Sequence, residues 1–141
     1  MIILDTDHIT VLRYPEHSQH AILSRKMDRS LDVDFATTAI SVEEQMRGWL
    51  AAIRRKRKAH AQILYYTRLV GLVRFLGDWR ILSLDEPAAD RFEQLRRSRI
   101  RIGTQDLKIA SIALEHGALL LSANLRDFQQ VPSLRVEDWL H

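Results

Sequence analysis

The chain has 141 residues, 46% hydrophobic and 28% charged, with 21 Lys and Arg against 18 Asp and Glu and no cysteine. That length buries a core without a disulfide or structural metal, and the missing cysteine excludes zinc fingers, iron–sulfur sites and thiol nucleophiles. No apolar run nears the roughly 20 residues of a membrane helix, and the apolar start breaks at Asp5, so a soluble, cytoplasmic protein without a signal peptide is expected.

Met1 to Leu4 reads as a fully buried strand, because its apolar run lacks the alternation of a half-wet one, and its carboxyl end delivers Asp5. Helices are predicted from His8 to Arg13 and from Ser18 to Met27, separated by Pro15, and a second strand from Phe35 to Ile40. Ser41-Val42-Glu43-Glu44 then reads as a capping box, with Ser41 as N-cap and Glu44 turned back toward it. From there Val42, Met46, Trp49 and Ile53 recur at helical spacing. The run Arg54, Arg55, Lys56, Arg57 and Lys58 follows, then a helix over 59–76 with Ile63, Tyr66, Val70 and Val73 on one side.

Arg80 to Leu84 is a third strand, and Asp85 with Pro87 begins a helix that runs to Arg97. Thr104 is placed as the cap of the most apolar helix, which extends through His116 to Gly117. Ala118 to Leu121 reads as a central parallel strand, Ser122 to Phe128 as a loop at its carboxyl end, and Leu134 to Val136 as an edge strand. Strands alternating with longer helices, without repeats or linkers, predict a single three-layer α/β domain over residues 1–141 with a mostly parallel sheet.

Parallel sheets carry their chemistry outside the carboxyl ends of the strands, and Asp5, Glu43, Asp106 and Asp127 all fall near that edge. Such carboxylates repel one another when charged and dry. A hard divalent cation, magnesium or manganese, compensates that charge and favours phosphoryl transfer by a metal-activated water. Asp5 and Asp106 are the expected primary ligands, Glu43 a ligand or water positioner, and Asp127 a fourth, direct or water-mediated carboxylate. Ser122 and Asn124 would hydrogen-bond that shell or the scissile phosphate. Glu43 is preferred over Glu44 because the capping box occupies Glu44, and Asp7 competes with Asp5. Each acid also has a structural explanation as a cap or first-turn charge.

The formal charge of +3 conceals a division: residues 1–44 hold eight acids and four bases, whereas residues 45–77 hold eight bases and no acid. Residues 54–58, and the track of Arg91, Arg96, Arg97, Arg99 and Arg101, read either as phosphate contacts or as solvated helix ends. The six histidines form no compact ligand motif, and surface roles explain them.

Taken together, Leu4-Asp5-Thr6-Asp7, Ser41-Val42-Glu43-Glu44, the segment Gly103 to Ala110, Ser122-Ala123-Asn124-Leu125-Arg126-Asp127-Phe128 and the closing Val131 to Trp139 resemble the PIN-domain family, particularly VapC-type toxins of bacterial toxin–antitoxin pairs. The resemblance covers nearly the whole chain. It implies a three-layer α/β/α fold with a five-stranded parallel sheet, magnesium-dependent endoribonuclease activity, homodimerisation and inhibition by a cognate antitoxin. The family's acids correspond to Asp5, Glu43 and Asp106, and its late polar loop to Ser122, Asn124 and Asp127. Position 7 is Asp where Asn is common, which adds charge or shifts water binding, and position 122 is Ser where Thr is usual, which keeps the hydroxyl. Trp49, Tyr65, Tyr66 and residues 54–58 could serve the dimer, the antitoxin or RNA. A catalytically silent nucleic-acid-binding or protein-interaction domain, and a DNA-directed or structure-specific nuclease, are the competing functions.

Overall fold

The computed structural model describes residues 1–141. Five short strands, β1 (Ile2–Leu4), β2 (Phe35–Thr38), β3 (Arg80–Leu82), β4 (Leu119–Leu121) and β5 (Arg135–Glu137), form one sheet in the order β3-β2-β1-β4-β5. Every pairing is parallel. Seven helices connect or flank them: α1 (Thr6–Arg13), α2 (His20–Asp28), α3 (Ala39–Arg54), α4 (Ala59–Leu76), α5 (Glu86–Arg97), α6 (Thr104–Glu115) and α7 (Leu125–Phe128).

Alternate strand residues point to opposite sides, and both sides are covered. Ile3 and Leu120 pack with Phe92 and Leu95 of α5, and with Ile109 and Ile112 of α6, on one side. Ile2, Leu4 and Leu121 pack with Ile9 of α1, Met27 of α2 and Phe75 of α4 on the other. This makes a three-layer α/β/α fold and explains why β1 and β4 are continuous apolar runs. Each fully buried aliphatic side chain contributes about 1.5–3 kcal/mol, so the two strands that carry the site are also anchors of the core.

Several element boundaries differ from those expected, and one difference matters. The capping box does not form: α3 starts at Ala39, and its N-cap is Thr38, whose hydroxyl accepts from the Ser41 N–H at 3.2 Å. Thr38 has extended backbone, as an N-cap requires, and the earlier start puts Ser41 inside the helix as a buried residue. Glu44 is thereby released from its expected bond back to Ser41. A similar shift starts α1 at Thr6, with Asp5 itself as N-cap.

Elsewhere Asp85 caps α5 through the Ala88 N–H at 3.1 Å, as its sequence context implies. At the end of α6, Gly117 has φ +57°, the Ala118 N–H reaches the Ala113 carbonyl and the Gly117 N–H reaches that of Leu114. This helix-ending motif turns the chain into β4 and favours glycine at that φ. Residues 125–128, expected as loop, form the short α7.

The apolar row on α4 is not core, and in that on α3 only Ile53 is buried. Leu72 and Leu76 are the buried residues of α4, whereas Ile63, Tyr66, Val70 and Val73 are each about half exposed. Val42 and Met46, with Leu50 and Ala51, line an open groove of about 710 Å³ along α3, rimmed by Glu43, Arg47, Arg54 and Arg55. Periodicity identifies an apolar face but not what covers it. No helix is long and apolar enough to cross a membrane.

Candidate active site

The sheet reverses its winding direction between β1 and β4, which lie side by side although β2 follows β1 in the chain. Ligand sites of open parallel sheets form at such a reversal, beyond the strand ends. Leu4 pairs with Leu121, so the next residues, Asp5 and Ser122, emerge together, and the Ser122 hydroxyl donates to Asp5 Oδ2 at 2.7 Å. The Thr6 N–H donates to Asp5 Oδ1 at 2.7 Å. Ser122 Oγ also accepts from the Asn124 N–H at 3.0 Å, which fixes its hydroxyl toward Asp5.

Asn124 extends the constellation to two more acids. Its side-chain amide donates to Asp106 Oδ2 at 3.0 Å and to Asp127 Oδ2 at 3.1 Å. Asp106 stands in the first turn of α6, where the helix dipole favours a carboxylate. Ser122 and Asn124 are therefore the two polar residues that tie the acids of β1, α6 and α7 into one network.

An open cavity of about 480 Å³ lies at the centre, lined by Asp5, Asp7, Glu44 and Asp106, with Thr6, Thr10, Val11, His17, Gln19 and Leu140 completing the wall. Glu44, not Glu43, faces this cavity. Glu43 lies on the outer side, exposed, where Arg47 donates to Oε2 and Gln105 Nε2 donates to Oε1 at 2.7 Å. Adjacent helix residues differ by about 100° in direction, so only one of the pair can face the acids. Glu43, the expected member of the cluster, is corrected to Glu44, and the cause is the earlier helix start at Thr38.

The electrostatics follow this placement. Asp5 is only 7% exposed, and burial, reinforced by the Asp7 charge, pushes its carboxyl up to about 7 against the pull of the Ser122 hydroxyl. Burial also raises Glu44, with Asp106 and Glu43 adding to it, and raises Asp106, with Asp127 and Asp7 adding to it. Glu43 moves the other way: the Gln105 amide and Arg47 lower it. The inward acids are thus short of positive charge, while the outward one is supplied.

Asp7 belongs to the cavity wall but is already occupied. Its Oδ1 accepts from the His8 N–H at 2.6 Å and from His8 Nδ1–H at 2.7 Å, and its Oδ2 accepts from the Ala123 N–H at 2.8 Å. His8 is fully buried and its Nε2 accepts from the Trp139 N–H at 3.0 Å, which places the ring proton on Nδ1. The chain Trp139–His8–Asp7–Ala123 therefore fastens the β1–α1 junction to the loop after β4 and to the segment after β5. The position-7 Asp supplies a fixed charge and a strut, a role that residue identity alone did not reveal.

The basic candidates stand away from this cavity. Arg54, Arg55, Lys56, Arg57 and Lys58 are all exposed around the turn from α3 to α4, with Lys56 5.8 Å from the Tyr65 ring centre. Arg96, Arg97 and Arg99 are exposed at the end of α5 and just beyond it, whereas Arg91 is committed to Glu115 at 2.8 Å. None of them lines the acid cavity.

The donor set suits a hard divalent cation: carboxylates converge without a cationic partner, and Glu44 Oε1 and Thr6 Oγ1 are buried oxygens with no hydrogen-bond partner. No three Asp, Glu or His side chains, as they stand, could hold an ion among them. Magnesium commonly takes one or two protein carboxylates and keeps water in its remaining positions, so the set fits that ion in chemistry without forming an all-protein cage.

A model of the PIN domain matches residues 2–134 of the chain. Among curated proteins, the tRNA(fMet)-specific endonuclease VapC of Salmonella typhimurium is 35% identical over 69 residues, which is 46% of this chain and 52% of that protein. Ribonuclease VapC2 of Haemophilus influenzae is 46% identical over 70 residues, or 47% of this chain and 53% of that protein. The chain thus spans about half the length of these curated relatives. Among solved structures, VapBC-1 from nontypeable Haemophilus influenzae matches with a TM-score of 0.75 at 22% identity, covering 100% of both chains. FitAcB from Neisseria gonorrhoeae matches with a TM-score of 0.74 at 24% identity, over 100% of this chain and 99% of that one. At these identities the structural likeness concerns the fold.

Proposed function

From the premise that this chain belongs to the PIN-domain family, we propose that it is a magnesium-dependent endoribonuclease acting in the cytoplasm as the toxin of a toxin–antitoxin pair. The observation that carries this reading is the convergence of Asp5, Glu44 and Asp106 on one cavity at the strand ends, two of them tied to the Ser122–Asn124 network and the third with an unpartnered carboxylate oxygen. Similarity to VapC ribonucleases over half their length supports the substrate class.

Asp5, Asp106 and Glu44 would hold magnesium, with Asp127 joining through the Asn124 bridge or through water. The bound ion, or manganese in its place, would supply a lowered water pKa and charge neutralisation at the phosphate being cleaved. Ser122 and Asn124 keep Asp5 and Asp106 turned toward the cavity, and Asp7 adds a negative charge held still by His8 and Ala123. The exposed bases of 54–58, with Arg96, Arg97 and Arg99, would attract the RNA backbone or an acidic partner. Ile63, Tyr66, Val70 and Val73, with the α3 groove, offer an apolar surface for the cognate antitoxin or for a second copy in a homodimer. Two further structural neighbours are named as a toxin–antitoxin complex from Klebsiella pneumoniae and as a member of the VapBC family of toxin–antitoxin systems from Mycobacterium tuberculosis, which favours such a partner here.

Purified chain is expected to cleave unstructured RNA in magnesium, leaving 5′-phosphate and 3′-hydroxyl ends. EDTA, Asp5→Asn and Asp106→Asn should each suppress this by at least about a hundredfold. Cleavage that persists in both variants would remove the acid cavity from the reaction.

A further inference from the structure

The acid cavity has lining residues that the nuclease reading does not use. Three polar side chains that are not acids, Thr10, His17 and Gln19, line it together with the carboxylates. His17 and Gln19 sit in the segment between α1 and α2, which is pinned rather than loose. The His17 N–H donates to the Tyr14 carbonyl at 2.9 Å, and the His17 carbonyl accepts from the His20 N–H at 3.0 Å. The Gln19 amide is in turn tethered to the His141 ring at 3.1 Å.

The ring of His17 is oriented by its own neighbour. The Gln19 backbone N–H donates to His17 Nδ1 at 3.1 Å, so in the neutral imidazole the proton resides on Nε2, and that N–H has no partner within the chain. His17 is exposed and lines the cavity, so its free donor is offered to whatever enters. The volume of about 480 Å³ falls within the usual range for small-ligand sites, which spans roughly 300–1,000 Å³.

A phosphate that enters a cavity lined by four carboxylates is repelled by them except where a cation intervenes. Its neighbours along the strand need donors elsewhere in the lining, and His17 Nε2–H and the Thr10 hydroxyl are such donors. We infer that His17 is a substrate-binding residue: its Nε2–H donates to a non-bridging oxygen of the phosphate next to the scissile one in a single-stranded RNA. Gln19 is the positioning residue through its backbone N–H, and Val11 and Leu140, both buried and lining the cavity, contact the intervening ribose. This rests on the ribonuclease reading but assigns a residue outside its acids.

The test combines steady-state cleavage of a short unstructured RNA with binding of the same RNA, fluorescein-labelled, to the Asp106→Asn protein by anisotropy. His17→Ala should raise KM about tenfold with kcat within about twofold, and should weaken RNA binding in the Asp106→Asn background by a similar factor. His17→Gln, which keeps an N–H donor at similar reach, should recover most of the loss. Manganese affinity, titrated calorimetrically in the otherwise unaltered protein, should not change with His17→Ala.

An unchanged KM and unchanged RNA binding in His17→Ala would overturn the inference while leaving the nuclease intact. A fall in kcat together with weakened manganese binding would also overturn it, by moving His17 to the metal-binding side. If the unaltered chain binds RNA through His17 but cleaves none, the subsite stands and the nuclease reading fails.

Discussion

Glu44→Gln is expected to lower RNA cleavage by at least about a hundredfold, whereas Glu43→Gln should leave it within about threefold. The two residues are sequence neighbours with the same side chain, so only their placement separates them. Glu44 lines the cavity with Asp5, Asp7 and Asp106 and has one oxygen unpartnered, while Glu43 is exposed, paired with Arg47 and hydrogen-bonded by Gln105. Removing the inward charge takes away a donor suited to magnesium. Removing the outward one loses an exposed helix pair, whose contribution to stability is typically below 1 kcal/mol. Cleavage assays on the two variants, with circular dichroism to check folding, distinguish the pair; equal losses would mean that Glu43 reaches the centre.

The second large effect is on stability without metal. The thermal midpoint of chelator-treated protein should fall as pH rises from 5 to 8, and magnesium should restore it at pH 8 more than at pH 5. The Asp5 carboxyl binds its proton more tightly in the folded chain, near 7, than at its ordinary value of 3.8. A group raised by folding stabilises fully below its unfolded pKa, and that stabilisation is lost as pH climbs through the folded value. The full displacement of this buried group corresponds to on the order of 4 kcal/mol, of which about 3 is lost between pH 5 and 8. Glu44 and Asp106 are raised as well and act in the same sense. The lowered acids, Glu43, Asp32 and Asp138, contribute in the opposite sense but titrate below the ordinary carboxylate range, outside this window. Scanning calorimetry across the range, on the unaltered chain and on Asp5→Asn, measures the slope. Asp5→Asn should flatten it, and a midpoint that rises with pH in metal-free protein would contradict the burial of an unpaired acid cluster.

The fold and half of the cluster were legible in the residues because each rests on a local signal. An uninterrupted apolar run of strand length must be covered on both sides, and the polar residue that ends it must lie at the sheet edge, which located Asp5 and Ser122. Asp106 was legible as a first-turn acid of the helix before the buried strand, Asp127 as an acid in the loop after that strand, and Asn124 as a polar residue of the same loop. What failed depended on a helix start. Thr38 and Ser41 are both competent N-caps, and choosing Ser41 rotated the next carboxylate out of the cluster and the wrong one into it.

Other features were not legible because they are relations between distant segments. His8 reads as one of six scattered histidines until Trp139, over a hundred residues away, donates to it. His17 lies in a loop whose sequence carries no periodic signal, and only the cavity shows that it shares a lining with the acids. The apolar row of α4 has helical spacing like a core face, yet the chain itself leaves it uncovered.

Crystals of the chain soaked in manganese and measured at an energy that maximises anomalous scattering would locate the ion directly. The expected result is one anomalous peak in the acid cavity, about 2.2 Å from oxygens of Asp5, Asp106 or Glu44, with remaining positions filled by water. A peak bound by Glu43, or manganese excluded from the cavity while these carboxylates remain in place, would contradict the assignment of this site as the metal centre.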